Sequence, residues 1–229
     1  MRDERGTDQP DGDFGHHDMP HPRDLLAAIG TLTILPLPRP APDSDAFARA
    51  TLFFPVVGLA LGGFLAVLNG AGANRLPAWL GAVLLVAVWE ALTPRNGGSV
   101  ALRLIAAVVK VIGLAVVPAA RPAALLFAPL LARWCVVVLA TGARDADVPG
   151  RKFNAAITFR EFALTSVFTL AVVFSVAEAF GIFIVLCVGA LALGLRLYVH
   201  RYASGVSWRL LVAATGGIEA LVVALCAAL

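Results

Sequence analysis

Residues 125–141 read LLFAPLLARWCVVVLAT, an apolar run that contains one charged side chain, Arg133. A transmembrane helix needs roughly 17–25 mostly apolar residues, and a helix is the only single segment that satisfies its own backbone in lipid. The run therefore predicts a membrane-spanning helix with Arg133 near mid-depth, where a guanidinium is costly unless it faces a partner or a polar cavity. Two interpretations follow: Arg133 pairs with a carboxylate such as Glu90 or Glu219, or it lines a site for an anionic ligand.

The composition of the whole chain agrees with a place in the membrane. Apolar residues form 59% of the 229 residues and charged residues 14%, and the mean hydropathy is +0.85. A soluble core of this length could not absorb so much apolar surface, so we expect an all-α integral membrane protein with several spans. The three cysteines lie in apolar runs without metal-ligand spacing, which is typical of unpaired core residues. They are Cys135, Cys187 and Cys226.

Hydrophobic segments follow a polar N-terminal tail. Residues 1–24 lack hydrophobic periodicity and predict a disordered cytosolic tail. Residues 25–37 are too short to span and end at two prolines, which predicts a short interfacial or re-entrant helix. The remainder predicts seven transmembrane helices. Five of them lie near residues 51–68, 78–92, 100–117, 125–141 and 208–229, and two more share the apolar block 162–197, divided by a hairpin near residues 179–181.

The basic residues of the connecting segments predict the orientation of these helices. Of the 18 basic residues, Lys110 and Arg133 lie inside predicted spans, and Arg75 and Arg121 lie in connections on one side. The other 14 lie on the opposite side. Cytoplasmic connections carry the excess of Lys and Arg, so we predict a cytoplasmic N-terminus and an external C-terminus. The same rule explains why these loops are basic, so they do not indicate nucleic-acid binding. We do not expect nucleic acid as a partner.

Common catalytic and metal-binding patterns are missing from the sequence. Residues 96–98 lack the lysine and the spacing of a phosphate-binding loop, and no HExxH or paired-cysteine pattern occurs. Three of the four histidines lie in the N-terminal tail, where nothing rigid holds them, so a solvated tail explains them better than a metal site. We therefore predict no metal site from the residues alone.

Five charged side chains remain within or close to the predicted spans: Glu90, Lys110, Arg133, Glu178 and Glu219. Lys110 lies near the centre of its span, where its side chain reaches water poorly. We therefore favour a functional or ion-paired role for Lys110 over a side chain that extends to the membrane surface.

Several short motifs carry a resemblance to a known family. They are LTILPLP at residues 32–38, FPVVG at 54–58 after Arg49, VKV at 109–111, ARW at 132–134, the loop with Ala143, Arg144, Gly150 and Phe153, and the segment 205–222. Together they resemble the adenosylcobinamide-GDP ribazoletransferases, also called cobalamin synthases. In the last segment Glu219 takes the position of the final family glutamate.

The resemblance implies a cobalamin-synthase-like transmembrane domain over residues 25–229 in the bacterial inner membrane. It further implies a transferase that joins adenosylcobinamide-GDP to α-ribazole or its phosphate, with magnesium, and releases GMP. On the matching positions it implies a site for a corrinoid or another phosphate-bearing ligand. The candidate binding residues are Lys110, Arg133, Glu219 and Arg144.

The sequence also departs from the family pattern in its acidic residues. The family's HLDGLADTADG stretch is missing after the second span, and Arg209 and Gly216 occupy acidic positions of the last segment. Magnesium-assisted transfer needs carboxylates to hold the metal. Two hypotheses therefore stand. The chain is either a ribazoletransferase or a non-catalytic relative, which serves as partner subunit of a complete synthase or as a membrane binding or transport module for a corrinoid or a lipid phosphate.

Overall fold

The computed structural model describes residues 21–37, 45–72, 75–94, 99–142, 157–202 and 205–228, without the side chains of 45–47, 177–179, 200 and 202. Within these ranges the chain is helical and has no strand. The helices are α1 (Pro22–Leu32), α2 (Asp45–Thr51), α3 (Phe54–Gly72), α4 (Ala78–Leu92), α5 (Val100–Val116), α6 (Arg121–Ala140), α7 (Phe159–Tyr202) and α8 (Trp208–Ala228).

The predicted class, an all-α membrane protein, is confirmed. Five helical stretches are long and apolar enough to cross a bilayer: α3, α6, residues 159–176 and 180–199 of α7, and α8. The helices α4 and α5 are shorter, with 15 and 17 residues. The count of seven spans and their orientation remain predictions.

The centre of the bundle is α6, the helix of the opening apolar run. Its residues are buried on all sides, which is typical of a helix surrounded by others. Its neighbours include α3, α7 and α8. Because it is enclosed, the polar group of Arg133 has to find its partners inside the protein.

Two glycines of α3 allow that helix to approach α6 closely. A Cβ on Gly58 would lie 2.6 Å from the Pro129 carbonyl oxygen, and one on Gly62 would lie 2.7 Å from the Leu125 carbonyl oxygen. Pro129 lacks the N–H that would bond the Leu125 carbonyl in a regular helix. Gly63, in contrast, has no neighbour within 4 Å and does not belong to this contact.

The start of the first predicted span differs from the prediction. A helix from about residue 51 was expected, but α2 ends at Thr51 and α3 begins at Phe54. Pro55 thus lies in the first turn of α3, where a backbone N–H would have no acceptor within the helix, so its absence costs no helical hydrogen bond.

The short N-terminal helix is present, with shifted ends. It begins at Pro22 inside the predicted tail, because Asp24 caps its start: the His21 N–H donates to the Asp24 carboxylate at 2.8 Å. It ends at Leu32, before the prolines, where the Thr33 hydroxyl donates to the Ile29 carbonyl at 2.7 Å. The predicted disorder of residues 1–20 lies outside the described residues.

The helix α7 includes the residues of the predicted hairpin, yet its two halves must fold back on each other. The Trp134 indole N–H donates to the Ser166 hydroxyl at 3.0 Å, and a Cβ on Gly189 would lie 3.9 Å from the far edge of the same indole. A straight helix would separate residues 166 and 189 by roughly 34 Å. The chain therefore reverses between them, in a segment that includes the predicted turn.

Candidate functional site

Four charged side chains from four helices meet inside the bundle. The Lys110 ammonium (α5) lies 3.0 Å from the Glu219 carboxylate (α8) and also pairs with Glu90 (α4), while the Arg133 guanidinium (α6) pairs with the other oxygen of Glu219. Lys110, Arg133 and Glu219 are at most 2% exposed. We call these four residues the ion-pair cluster. Its two cations and two carboxylates offset each other, which makes their burial tolerable.

The local sequence explains how Lys110 reaches the cluster. Ala106, Lys110 and Leu114 recur at a spacing of four residues and form the buried stripe of α5. A Cβ on Gly113 would lie 2.6 Å from the Val223 side chain, so α5 and α8 pack closely at this level. The Trp89 ring lies 4.5 Å from the Lys110 ammonium and adds a cation–π contact.

A cavity lies beside the cluster. Its free volume, open mouth included, is about 650 Å³, and it lies where the end of α4 meets the starts of α5 and α8. Glu90, Arg133 and Glu219 contribute to its wall, and so does Arg103, whereas Lys110 does not. Lys110 is therefore set behind the two carboxylates and has no direct access to a ligand in this cavity.

The donors of the cavity wall suit an anion. The Arg103 side chain forms no hydrogen bond or ion pair with the described residues, and the buried Nε of Arg133 has no hydrogen-bond partner among them. The hydroxyls of Thr31 and Thr215 both donate to carbonyls of their own helices at 2.8 Å. Guanidinium groups form strong, directional hydrogen bonds with phosphate oxygens. Since Glu90 and Glu219 are already paired, the Arg103 side chain and the Nε of Arg133 are the donors left for an incoming anion.

The structure brings together three of the four predicted binding residues. Lys110, Arg133 and Glu219 belong to one cluster, in which Arg133 has the carboxylate partner of the first interpretation and Lys110 is ion-paired. Arg144 and the side chain of Glu178 lie outside the described residues. Arg103 was not predicted as a site residue, although its position seven residues before Lys110 places both on one face of a helix.

A magnesium ion, which the family resemblance implies, does not fit the groups found at this site. No three His, Cys, Asp or Glu side chains of the described ranges come close enough to hold a metal ion. Glu90 and Glu219, the carboxylates at the cavity, are engaged by Lys110 and Arg133. We therefore derive no step that uses a metal at this cluster.

Comparison with known proteins finds a similarity in the N-terminal part of the chain. The model of the family described as cobalamin-5-phosphate synthase matches residues 24–96. Neither the comparison with curated proteins nor that with solved structures found a match. The matched residues include Thr31, Glu90 and Thr93 of the cavity wall. The match covers about a third of the 229 residues, so it shows a likeness of this part of the chain to the cobalamin-5-phosphate synthase family.

Proposed function

We propose that the protein takes part in the assembly of the cobalamin nucleotide loop and binds a phosphate-bearing substrate in the cavity beside the ion-pair cluster. The observation that supports this most directly is the place of the family match. Residues 24–96 supply Thr31, Glu90 and Thr93 to the wall that Arg103 and Arg133 complete. The proposed orientation turns this cavity toward the cytoplasm, and the proposed location is the bacterial inner membrane, with the N-terminus inside and seven spans.

Arg103 and Arg133 would bind the phosphate, while the other charged residues position them. Glu219 holds Nη1 of Arg133, and Lys110 offsets the charges of Glu90 and Glu219. Without Lys110 those carboxylates would outnumber Arg133 and repel an anion. In this proposal Lys110 and Glu219 act through Arg133, and Arg144 is a further phosphate ligand from the connection after α6.

The specific reaction that we propose is the family's ribazole transfer. Adenosylcobinamide-GDP would react with α-ribazole or its phosphate, and GMP would leave. The magnesium that the family resemblance implies would be held away from the ion-pair cluster. The second candidate is a non-catalytic relative that binds a corrinoid or lipid phosphate, alone or as partner subunit of a complete synthase. The observation that favours this candidate is that the carboxylates at the cavity are consumed by ion pairs.

GMP release separates the two candidates. The purified protein in lipid is given adenosylcobinamide-GDP, α-ribazole phosphate and magnesium, beside an active member of the family as positive control. Release above that of protein-free vesicles supports the transferase. No release, together with retained binding of adenosylcobinamide-GDP, supports the non-catalytic relative.

The binding step is tested with Arg103→Gln, and Arg75→Gln is the matched control at the other end of the bundle. Loss of one charged hydrogen-bond donor should weaken α-ribazole phosphate binding roughly tenfold or more. The control should bind as the unchanged protein does. If Arg103→Gln binds equally well, the cavity is not the phosphate site.

A further inference from the structure

A second cavity lies at the opposite end of the bundle and is separate from the ion-pair cluster. It lies between the end of α3 and the start of α4, and its free volume, open mouth included, is about 600 Å³. Its wall is apolar apart from Arg121 and Asn69. The apolar side chains are Leu68, Leu76, Leu84, Leu85 and Val88.

Arg121 is the unusual residue of this cavity. It is 6% exposed, and its hydrogen bonds go to two backbone carbonyls, from Nε to Leu114 and from Nη2 to Ala78 at 2.7 Å. These bonds tie α4, α5 and α6 together and cap the end of α5. Carbonyl groups carry no net charge, however, and no carboxylate of the described residues lies within 4.0 Å of this guanidinium.

One nitrogen of Arg121 remains available on the cavity side. Nη1 makes no hydrogen bond to the described part of the chain, and it lies 3.6 Å from the position of a Cβ on Gly81, which also lines the cavity. The absence of a side chain at Gly81 therefore leaves Nη1 open. The segments 69–80 and 113–125 contain two cations, Arg75 and Arg121, and no acidic residue, so this end of the bundle attracts anions.

The surrounding residues place Arg121 at the level of lipid headgroups. Trp79 follows Ala78 directly, is 62% exposed and lies in the first turn of α4. Tryptophan with such exposure is typical of the boundary between hydrocarbon and water. Leu84, 47% exposed, lies further along the same helix toward mid-depth. If the phosphate of a lipid lies at Arg121, an apolar groove therefore runs from it in a direction suitable for the lipid's acyl chain.

We infer that this cavity binds one anionic membrane phospholipid, with its phosphate on Nη1 of Arg121 and an acyl chain along Leu84 and Val88. The chemistry matches at both ends of the lipid. The guanidinium gains the anionic partner that the described residues do not supply, and the apolar wall receives hydrocarbon. Bound in this way, the lipid would join α3 to α4 at the end opposite the ion-pair cluster.

Native mass spectrometry of the purified full-length chain tests the inference. The protein in neutral detergent is titrated with phosphatidylglycerol, with phosphatidylcholine, or with inorganic phosphate. We expect one phosphatidylglycerol to be retained, with phosphatidylcholine bound roughly fivefold more weakly, as expected for one arginine at an anionic headgroup. Equal retention of both lipids, or displacement of phosphatidylglycerol by inorganic phosphate, would overturn the inference.

Two variants separate lipid binding from the capping role of Arg121. Arg121→Gln removes the charge, whereas Gly81→Leu fills the cavity and leaves both carbonyl bonds of Arg121 in place. Both should lose the retained phosphatidylglycerol. Gly70→Leu is the matched control, because nothing lies within 4 Å of a Cβ at Gly70. If the Gly81→Leu variant has the same melting temperature as the control and still retains the lipid, Arg121 is a helix cap only and the inference fails.

Discussion

At the scale of single residues, the protein is defined by charges that neutralise each other inside the membrane. A guanidinium or ammonium in hydrocarbon is expensive, and the cost falls when a hydrogen-bonded partner is present. Glu219 is the central member of the ion-pair cluster because it binds both Lys110 and Arg133. Glu90 binds Lys110 alone, and its side chain is 26% exposed against 3% for Glu219.

This difference predicts unequal costs for two identical substitutions. Glu219→Gln leaves two buried cations with one carboxylate and should destabilise the protein by about 3–5 kcal/mol. Glu90→Gln should lower the free energy of unfolding by about 1 kcal/mol or less, because Lys110 keeps its ion pair with Glu219 and the side chain of Glu90 is partly exposed. The two melting temperatures in the same detergent give the comparison. Equal decreases would show that Glu219 is not the centre of the network.

At the scale of helices, close contact between α3 and α6 holds the middle of the bundle. Between helices in lipid, small residues permit the backbone approach that provides van der Waals contact. Gly58 and Gly62 fulfil this role, and the carbonyl released by Pro129 faces Gly62. The packing therefore depends on the absence of two side chains as much as on the presence of apolar ones.

A pair of alanine substitutions tests this contact. Gly58→Ala places a Cβ 2.6 Å from the Pro129 carbonyl oxygen, and because that atom is backbone the helices must move apart. We expect the free energy of unfolding, followed by thermal denaturation, to fall by about 1–3 kcal/mol. Gly63→Ala, with open space around it, should be neutral or stabilising by up to about 1 kcal/mol. A Gly58→Ala protein as stable as Gly63→Ala would contradict the close approach.

The reversal within α7 is tested by cross-linking. Cysteines replace Ser166 and Gly189 in a chain whose native cysteines are changed to alanine. Since both positions contact Trp134, a short bifunctional thiol reagent should join them within one chain. A straight helix would hold them roughly 34 Å apart and prevent the reaction. Cross-linking at positions 166 and 170, about one turn apart on the same face of α7, controls for reagent access.

At the scale of the whole molecule, the two cavities lie at opposite ends of the bundle. The ion-pair cluster adjoins the cavity at the end of α4, and Arg121 lines the other cavity, at the start of α4. The two ends also differ in charge, since 14 basic residues belong to the predicted cytoplasmic side. A phosphate-bearing substrate on the one side and a membrane lipid on the other fit this division.

The predicted orientation has a direct test. Single cysteines at positions 75 and 144 are introduced into the cysteine-free chain and treated with a membrane-impermeant maleimide in intact cells. The excess of basic residues around position 144 predicts labelling there only after permeabilisation, and labelling at position 75 without it. The opposite pattern would place the cavity beside the ion-pair cluster on the external side.

Some features follow from sequence because they depend on local composition. Hydrophobic runs long enough to span a bilayer predicted the positions of the long helices, and the depth of Lys110 and Arg133 predicted that they need partners. Helix ends were less accurate, because the capping by Asp24 and the break before Pro55 depend on a few atoms. Arg103 was missed as a site residue, because a charge near the end of a span is explained equally well by orientation.

The sequence by itself determined that this chain is a helical membrane protein with cations held inside it, since lipid tolerates neither an unpaired backbone nor an unpaired charge. Only the tertiary structure decided which carboxylates meet those cations, that Lys110 is set behind them while Arg103 faces the cavity, and that Arg121 has no acidic neighbour within the described ranges. Such pairings join residues up to 109 positions apart. They depend on how helices pack, and no local pattern along the chain specifies that.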